Sequence, residues 1–165
     1  MPSPHDFTLE FFEDPETGDN PVRRWILEEL SPVLGRLLGA AMRAILQKDG
    51  AQVCGTEFGK QLGRGLFEFR VNRDPQAIID VERQRKGKTP KRVDPPAEKI
   101  LLRVFCHAYG ERVILLLGAY DKARDTSPKK QNEEIATART RLRRWQQQER
   151  MLARAGRARG RAKPH

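Results

Sequence analysis

The sequence has little of what would build a disulfide scaffold, a membrane protein or a secreted protein. Cysteine occurs twice in 165 residues, so a fold held together by several disulfides is excluded. No stretch approaches the roughly 18 apolar residues that a membrane-spanning helix needs. The first residues are acidic and lack a basic segment followed by an apolar one, so no secretory signal is predicted. We therefore expect a cytoplasmic protein with reduced thiols and no membrane partner.

Common signatures of metal and cofactor sites are also missing. The chain has no Walker loop and no Cys/His set with zinc spacing. Its three histidines, His5, His107 and His165, are widely scattered along the sequence. Paired carboxylates on a common face are not apparent either. The sequence therefore predicts neither a bound metal nor a small-molecule cofactor.

Positive charge is abundant and lies mostly at one end. The chain holds 32 Lys or Arg against 22 Asp or Glu, a net charge of +10. Between residues 139 and 165 there are ten Lys or Arg and one acid, Glu149, which supply nine of those net charges. Such an end attracts polyanions, although a solvated helix followed by a loose tail has the same composition. We interpret residues 150–165 as a basic, disordered tail.

The hydrophobic pattern predicts an α+β domain over residues 1–149. Period-two segments indicate strands, and three-four spacing after Asn-Pro or Ser-Pro pairs indicates helices. The predicted order is a strand at 7–12, helices from Pro21 and from Pro32 to Gly50, strands at 66–71, 100–109 and 112–120, and a helix from Pro128 to about Gly156. We expect a small, mostly antiparallel sheet with the N-terminal helical pair on one face, the other face partly open, and a C-terminal helix.

A long segment between two of these strands carries little regular pattern. Residues 72–99 include the basic run KGKTPKR and the sequence DPP, and periodicity fades after Val81. We interpret this segment as an inserted surface loop.

Strand alternation predicts which side chains share a face. If Phe67, Phe69 and Val71 face the helical pair, Arg70 and Arg103 lie on the opposite face. On the last strand, one face is predicted to contain the four residues Ile114, Leu116, Gly118 and Tyr120. The face opposite the helical pair then gathers Arg70, Arg103, Tyr120 and Lys122, with Glu68 and His107 nearby. Guanidinium groups suit phosphate oxygens, but the structural alternative is that both arginines pair with Glu68 or with carboxylates elsewhere.

Three segments together resemble the RelE/HigB toxin superfamily, in particular its phage-derived branch. They are LGRGLFEFRV (62–71), LLRVFCHAYGERVILLLGAYDK (101–122) and TSPKKQNEEIATAR (126–139). Their order and spacing match the family pattern of two arginine-bearing strands, a hairpin, a lysine-containing loop and a final helix. The inserted segment at 72–99 is longer than the usual link, and Cys106 stands where an aromatic residue is common.

The resemblance implies a RelE-like fold and the toxin of a type II toxin–antitoxin system. Such toxins cut mRNA in the ribosomal A site without a metal, so the implied partners are the ribosome, mRNA and a helix-turn-helix antitoxin. The implied catalytic residues are Arg70, Arg103, Lys122 and Tyr120. The implied RNA-binding residues are Arg124, Lys129 and Lys130.

The implied reaction is attack of an RNA 2′-hydroxyl on its neighbouring phosphate, with the arginines stabilising charge on the phosphoryl oxygens. The general base stays open among Glu68, Tyr120 and His107. Two alternatives remain: a ParE-like inhibitor of DNA gyrase, and a basic RNA-binding protein without catalytic activity.

Overall fold

The chain forms an α+β structure around one five-stranded sheet. A computed structural model describes residues 5–72, 75–94 and 99–162, with backbone alone for 160–162. The strands are β1 (Thr8–Phe11), β2 (Gly59–Gly63), β3 (Leu66–Asn72), β4 (Leu101–Tyr109) and β5 (Val113–Asp121), in the order β1-β5-β4-β3-β2. β1 runs parallel to β5 and the other neighbours are antiparallel. The predicted α+β class is confirmed.

The N-terminal helices begin at the predicted caps. The Asn20 side chain accepts from the Arg23 amide at the start of α1 (Pro21–Arg24), which continues as a π-helical turn at Trp25–Glu29. Ser31 likewise caps α2 (Pro32–Ala41) by accepting from the Leu34 amide. A second π-helical turn (Met42–Leu46), α3 (Gln47–Asp49) and a 3₁₀ turn (Gly50–Gly55) follow directly.

These helices cover the first face of the sheet and form the larger of two apolar clusters. Phe67, Phe69 and Val71 of β3 pack there with helical residues such as Leu38 and Leu46, all at most 2% exposed. This confirms the face predicted for the three β3 side chains. The remaining β3 residues, including Glu68 and Arg70, therefore point to the second face.

The second face is covered in part by the long helix α5 (Pro128–Ala162). α5 packs mainly on β5 and β4. The smaller apolar cluster between them contains Phe12, Leu66, Phe105, Leu115, Leu117, Tyr120, Ala138 and Leu142. β3 and β2 extend beyond this cover, so the part of the second face that stays open is on their side of the sheet.

The interpretation of 72–99 as a loop is wrong for residues 75–85, which form α4 (Pro75–Arg85). α4 packs on α2 and on the π-helical turn after it, and it buries Ile78 to 1% exposure. Arg85 anchors its end by donating to the Ala44 carbonyl and pairing with Asp49 at 3.2 Å. Residues 73–74 and 95–98 lie outside the described residues.

The structure also extends the last helix beyond its predicted end. α5 continues through Gly156 to Ala162, so residues 150–162 are helical where the sequence suggested a disordered tail. Alanine and arginine, both good helix formers, alternate through this segment and outweigh the cost of two glycines. Residues 163–165 lie outside the described part. Within the residues described, none of the helices combines the length and apolar character that crossing a bilayer requires.

Candidate phosphate site on the second sheet face

Three of the predicted site residues lie in one row across the sheet. Arg70 on β3 is opposite Arg103 on β4, and Arg103 is opposite Tyr120 on β5. Directly opposed residues share a face, so all three side chains project from the second face. This is the grouping that the alternation on the first two strands predicts.

Tyr120 reaches this row because β5 carries a bulge. Phe105 is opposite Gly118 while the next residue, Cys106, is opposite Leu116, which leaves Leu117 as an extra residue. The bulge reverses the alternation beyond it. The predicted common face of β5 is therefore wrong: Ile114 and Leu116 pack on the first face, whereas Tyr120 packs on the second.

A fully buried carboxylate lies between the two arginines. Glu68 has no exposed surface, and its Oε2 accepts from the Arg70 Nε at 3.1 Å. Its Oε1 lies 3.3 Å from the Arg103 Nε without hydrogen-bond geometry. Of the two structural alternatives raised by the sequence, pairing with Glu68 or with carboxylates elsewhere, the structure shows pairing with Glu68. Two guanidinium groups against one carboxylate leave this triad with a net positive charge.

The two arginines differ in their access to solvent. The Arg103 side chain is 6% exposed, and its Nη1 donates to the Asn72 side chain at 2.5 Å and to the Leu102 carbonyl at 3.0 Å. Burial lowers the pKa of Arg103, and the Glu68 carboxylate opposes that shift. The Arg70 side chain is 27% exposed. Arg70 is therefore the member of the triad that a ligand in solution can reach.

Tyr120 completes the row as a buried, neutral phenol. Its ring stacks on Phe105 with centroids 6.1 Å apart, and its hydroxyl has no hydrogen-bond partner among the described residues. Burial raises the pKa of Tyr120 to about 12, with a further contribution from the Glu68 carboxylate. The hydroxyl thus keeps its proton at physiological pH and is suited to donate a hydrogen bond.

Lys122 lies two residues after Tyr120, on the same face, just past the end of β5. Its backbone amide donates to the Leu101 carbonyl at 2.8 Å and so extends the ladder. Its ammonium group donates to the Gln131 side chain on α5 at 3.3 Å. Lys122 therefore sits between the row and the start of α5, about 7 Å along the strand from Tyr120.

The predicted RNA-binding residues lie elsewhere and among carboxylates. A recess of about 290 Å³ separates the end of β5, the start of α5 and the turn after α1. Its charged lining consists of Glu29, Asp121, Arg124, Asp125, Lys130 and Glu134. Lys130 pairs with Glu134 at 2.8 Å, which raises the pKa of Lys130, and Arg124 lies 3.8 Å from Asp121. Lys129 is exposed on the first turn of α5. With four acids against two bases, this recess disfavours a phosphate.

The open part of the second face has the opposite sign. Lys60 on β2 is exposed and lies opposite Glu68, so it shares the face of Arg70. Arg139 of α5 reaches across to the β2–β3 turn and donates to the carbonyls of Leu62 (2.6 Å) and Gly63 (3.1 Å). We call the surface formed by Lys60, Arg70 and Arg139 the basic strip. Sequence reasoning missed Lys60 because it did not identify β2, and it missed Arg139 because the contact of this α5 side chain with the β2–β3 turn depends on how the helix packs.

An aromatic cluster occupies the far end of the same face. His107 lies 5.6 Å from Trp145 and 6.5 Å from Tyr109 between ring centroids, and its Nδ1 is 2.8 Å from the Gly65 carbonyl. A carbonyl can only accept, so this contact assigns the ring proton to Nδ1. His107 is four residues along β4 from Arg103, about 13 Å away. It therefore does not join the arginine row.

Within the described residues, no three His, Cys, Asp or Glu side chains are grouped as a metal ion would require. Comparison with protein-family models, with curated proteins and with solved structures finds no match to this chain.

Proposed function

We propose that the chain is the toxin of a type II toxin–antitoxin system, an endoribonuclease that cleaves mRNA on the ribosome. The observation that carries the proposal is the aligned row of Arg70, Arg103 and Tyr120 around the buried Glu68, next to an open basic strip. The resemblance to the RelE/HigB superfamily supports the same activity, because its arginine-bearing strands supply this row.

In this proposal Arg70 is the phosphate ligand. Its Nε is held by Glu68, so its two terminal nitrogens are oriented to bind phosphoryl oxygens. Arg103 is enclosed and acts as a positioning residue, because its guanidinium lies against Glu68 and Glu68 in turn fixes the Arg70 guanidinium. Lys60 adds positive charge on the open side. Negative charge that develops on the phosphate is then stabilised by preorganised cations.

The chemical step is attack of the RNA 2′-oxygen on the adjacent phosphorus. The bond from phosphorus to the 5′-oxygen breaks, which leaves a 2′,3′-cyclic phosphate and a 5′-hydroxyl. The proton of the 2′-hydroxyl passes to water. The leaving 5′-oxygen takes up a proton from water while Lys122 stabilises its negative charge. The chain's own contribution is electrostatic, and alignment of attacking and leaving oxygens comes from the ribosome-bound geometry of the mRNA.

None of the three candidate bases combines exposure with nearness to Arg70. Glu68 is enclosed and already paired, while Tyr120 keeps its proton up to about pH 12. His107 is about 13 Å along the strand from Arg103. The proposal therefore assigns no side chain as general base, and it uses Tyr120 as a hydrogen-bond donor within the row.

The test compares Arg70→Gln with the wild type after induction in a bacterial host. Primer extension on a defined transcript should show codon-phased breaks with the wild type. We expect cleavage to fall about a hundredfold in Arg70→Gln, as is typical for loss of one transition-state charge contact. The fold should persist, because the Glu68–Arg103 pair remains.

Arg23→Gln, an exposed change on α1, is the matched control and should cleave like the wild type. Two results contradict the proposal. One is growth arrest with intact transcripts, which indicates a target such as gyrase. The other is full cleavage by folded Arg70→Gln protein.

A further inference from the structure

The C-terminal part of α5 extends beyond the apolar cluster that holds the helix to the sheet. The described contacts of α5 with the sheet end near Leu142 and Trp145. Every residue from 147 to 159 is exposed, a length of about 20 Å at ~1.5 Å per residue. We call residues 147–159 the arm. Because the arm continues a docked helix, its direction relative to the basic strip is set by the packing of α5.

Three arginines of the arm form a stripe along one side of the helix. Arg150, Arg154 and Arg157 are spaced by four and three residues, which places them within about 60° of one another at ~100° per residue. Arg139 lies on the same side, since 11 residues bring the helix to within about 20° of its starting direction. Arg139 contacts the β2–β3 turn. The stripe therefore continues the basic strip outward, up to about 27 Å from Arg139.

Beyond Glu149, no acidic side chain opposes this stripe along the arm. Glu149 is the last acid of the chain, and every residue after it is neutral or basic. A row of exposed, uncompensated guanidinium groups attracts the phosphate backbone of a nucleic acid and releases its condensed counterions. Helix formation by alanine and arginine presents these groups in register, which a disordered segment of the same composition would not do.

The distribution of apolar residues argues against other partners. Met151 and Leu152 are the large exposed hydrophobic residues of the arm. Helical geometry places Leu152 on the side opposite the stripe and Met151 at its edge, about 60° from Arg154. A helix that lies in a membrane needs a broad apolar face, and a protein interface needs an apolar centre. The stripe has neither.

We propose that the arm binds the phosphate backbone of a folded RNA at a distance from the cleaved phosphate, an inference that rests on the proposed function for the choice of RNA. The contact is electrostatic and independent of base sequence. An RNA held along the arm is directed toward Arg70 by the basic strip. The arm therefore contributes affinity, while the row around Glu68 contributes the chemical step.

The test measures binding of the full chain to a fluorescent RNA hairpin by anisotropy as salt is raised from about 50 to 200 mM. In the variant Arg150→Gln/Arg154→Gln/Arg157→Gln, we expect the slope of log affinity against log salt to fall by about 2 to 3, since each lost phosphate contact removes roughly 0.7–0.9. Lysine at the same three positions retains the charge and should retain most of the slope. The pair Met151→Ser/Leu152→Ser should leave the slope unchanged.

Three results overturn the inference. The first is a wild-type slope in the glutamine triple variant, and the second is an equal loss in the lysine variant. The third is tighter binding of the wild type to anionic lipid vesicles than to RNA, abolished by Met151→Ser/Leu152→Ser. Parallel primer extension separates this inference from the proposed function. If the glutamine triple variant shows the smaller salt dependence of RNA binding but the wild type gives no codon-phased cleavage, the nuclease is refuted and the arm remains an RNA contact.

Discussion

Among the residues, the buried carboxylate of Glu68 couples the two arginines of the candidate site, so the contribution of one arginine cannot be separated from that of the other. A carboxylate with no exposed surface is costly to bury and persists here because two guanidinium groups lie against it. Removing Arg103 would leave Glu68 with a single, partly exposed partner, and such losses typically cost about 3–5 kcal/mol of folding free energy. Arg70 is the better position to test chemistry, because its replacement leaves the buried pair in place.

The alternation of the sequence was sufficient to predict that Glu68, Arg70 and Arg103 share a face. Their burial was not predictable, because it depends on how far α5 covers the sheet. Only packing shows that Arg103 is enclosed while Arg70 stays within reach of solvent.

The chain's two tyrosines provide a test at the same scale. Burial raises the pKa of both Tyr109 and Tyr120 to about 12, and the Glu10 and Glu68 carboxylates add to the respective shifts. Folding therefore favours the neutral phenols, and this stabilisation is present below pH 10 and lost as pH rises toward 12. In a spectrophotometric titration we expect little tyrosinate at pH 10.5, with ionisation accompanying alkaline unfolding.

The unfolded chain in urea is the control for this titration and should ionise near pH 10. Half-ionisation of the folded protein at pH 10 would contradict the assigned burial. Tyr120→Phe removes a hydroxyl without a hydrogen-bond partner among the described residues, so it should leave the urea midpoint at neutral pH unchanged or higher.

Among the elements, α5 is joined to the sheet by arginines as well as by apolar contacts. Arg141 donates to the Leu117 carbonyl at 2.9 Å, and its guanidinium lies over Gly118 in the β5 bulge. Burial lowers the pKa of Arg141. Arg144 pairs with Asp14 at 2.9 Å in the segment after β1. Part of the positive charge that the sequence suggested for polyanion binding is thus used to attach the helix.

The hydrogen bond from Arg141 to the Leu117 carbonyl should stabilise the attachment of α5 to the sheet. Arg141→Gln should lower the free energy of unfolding by about 1.5–3 kcal/mol, the range for a hydrogen bond made by a charged group. Urea denaturation followed by circular dichroism measures the change. Arg143→Gln, two residues further on the same helix and exposed, should shift the midpoint little. Equal effects of the two substitutions would show that the Leu117 contact does not hold the helix.

Helices and strands could be predicted where capping residues and hydrophobic periodicity agree. They were missed where their formation depends on packing against the rest of the chain. Asn20 and Ser31 mark helix starts that the structure reproduces. β2 is short, contains glycine at both ends and has no apolar alternation, so its ladder with β3 is its main support. α4 carries a weak pattern because it buries Ile78 and little else deeply. The bulge at Leu117 cannot be recognised within an uninterrupted run of apolar residues. Because of it, half of β5 lies on the face opposite to the predicted one.

At the scale of the molecule, the described residues form a sheet between two helical layers, and every residue of the arm that extends from it is exposed. Positive charge lies on the basic strip and along the arm, and the recess beside Tyr120 has an excess of acids. An RNA ligand is accordingly expected on the side of β3 and β2. The implied RNA-binding residues Arg124 and Lys130 line the recess and not the side of β3 and β2. Neighbouring carboxylates offset their charge there.

Amide hydrogen exchange should be slow in the sheet and fast in the arm. Amides of β3, β4 and β5, the strands with most of the buried residues of the sheet, should be the slowest and should exchange at a rate set by global unfolding. Amides of residues 150–159 should exchange within seconds to minutes, since every residue of the arm is exposed. Mass spectrometry of peptic fragments measures both groups. Slow exchange in the arm of the isolated chain would indicate self-association through that helix.

The parallel pairing of β1 with β5 has a consequence for the order of folding during synthesis. Thr8 is opposite Val113, so the first strand to leave the ribosome has no partner until more than a hundred further residues are made. Closing so long a loop is slow relative to forming the local β3–β4–β5 meander. Nascent chains should therefore carry an unpaired β1 until β5 emerges, and completion of the sheet becomes the last step of folding rather than the first.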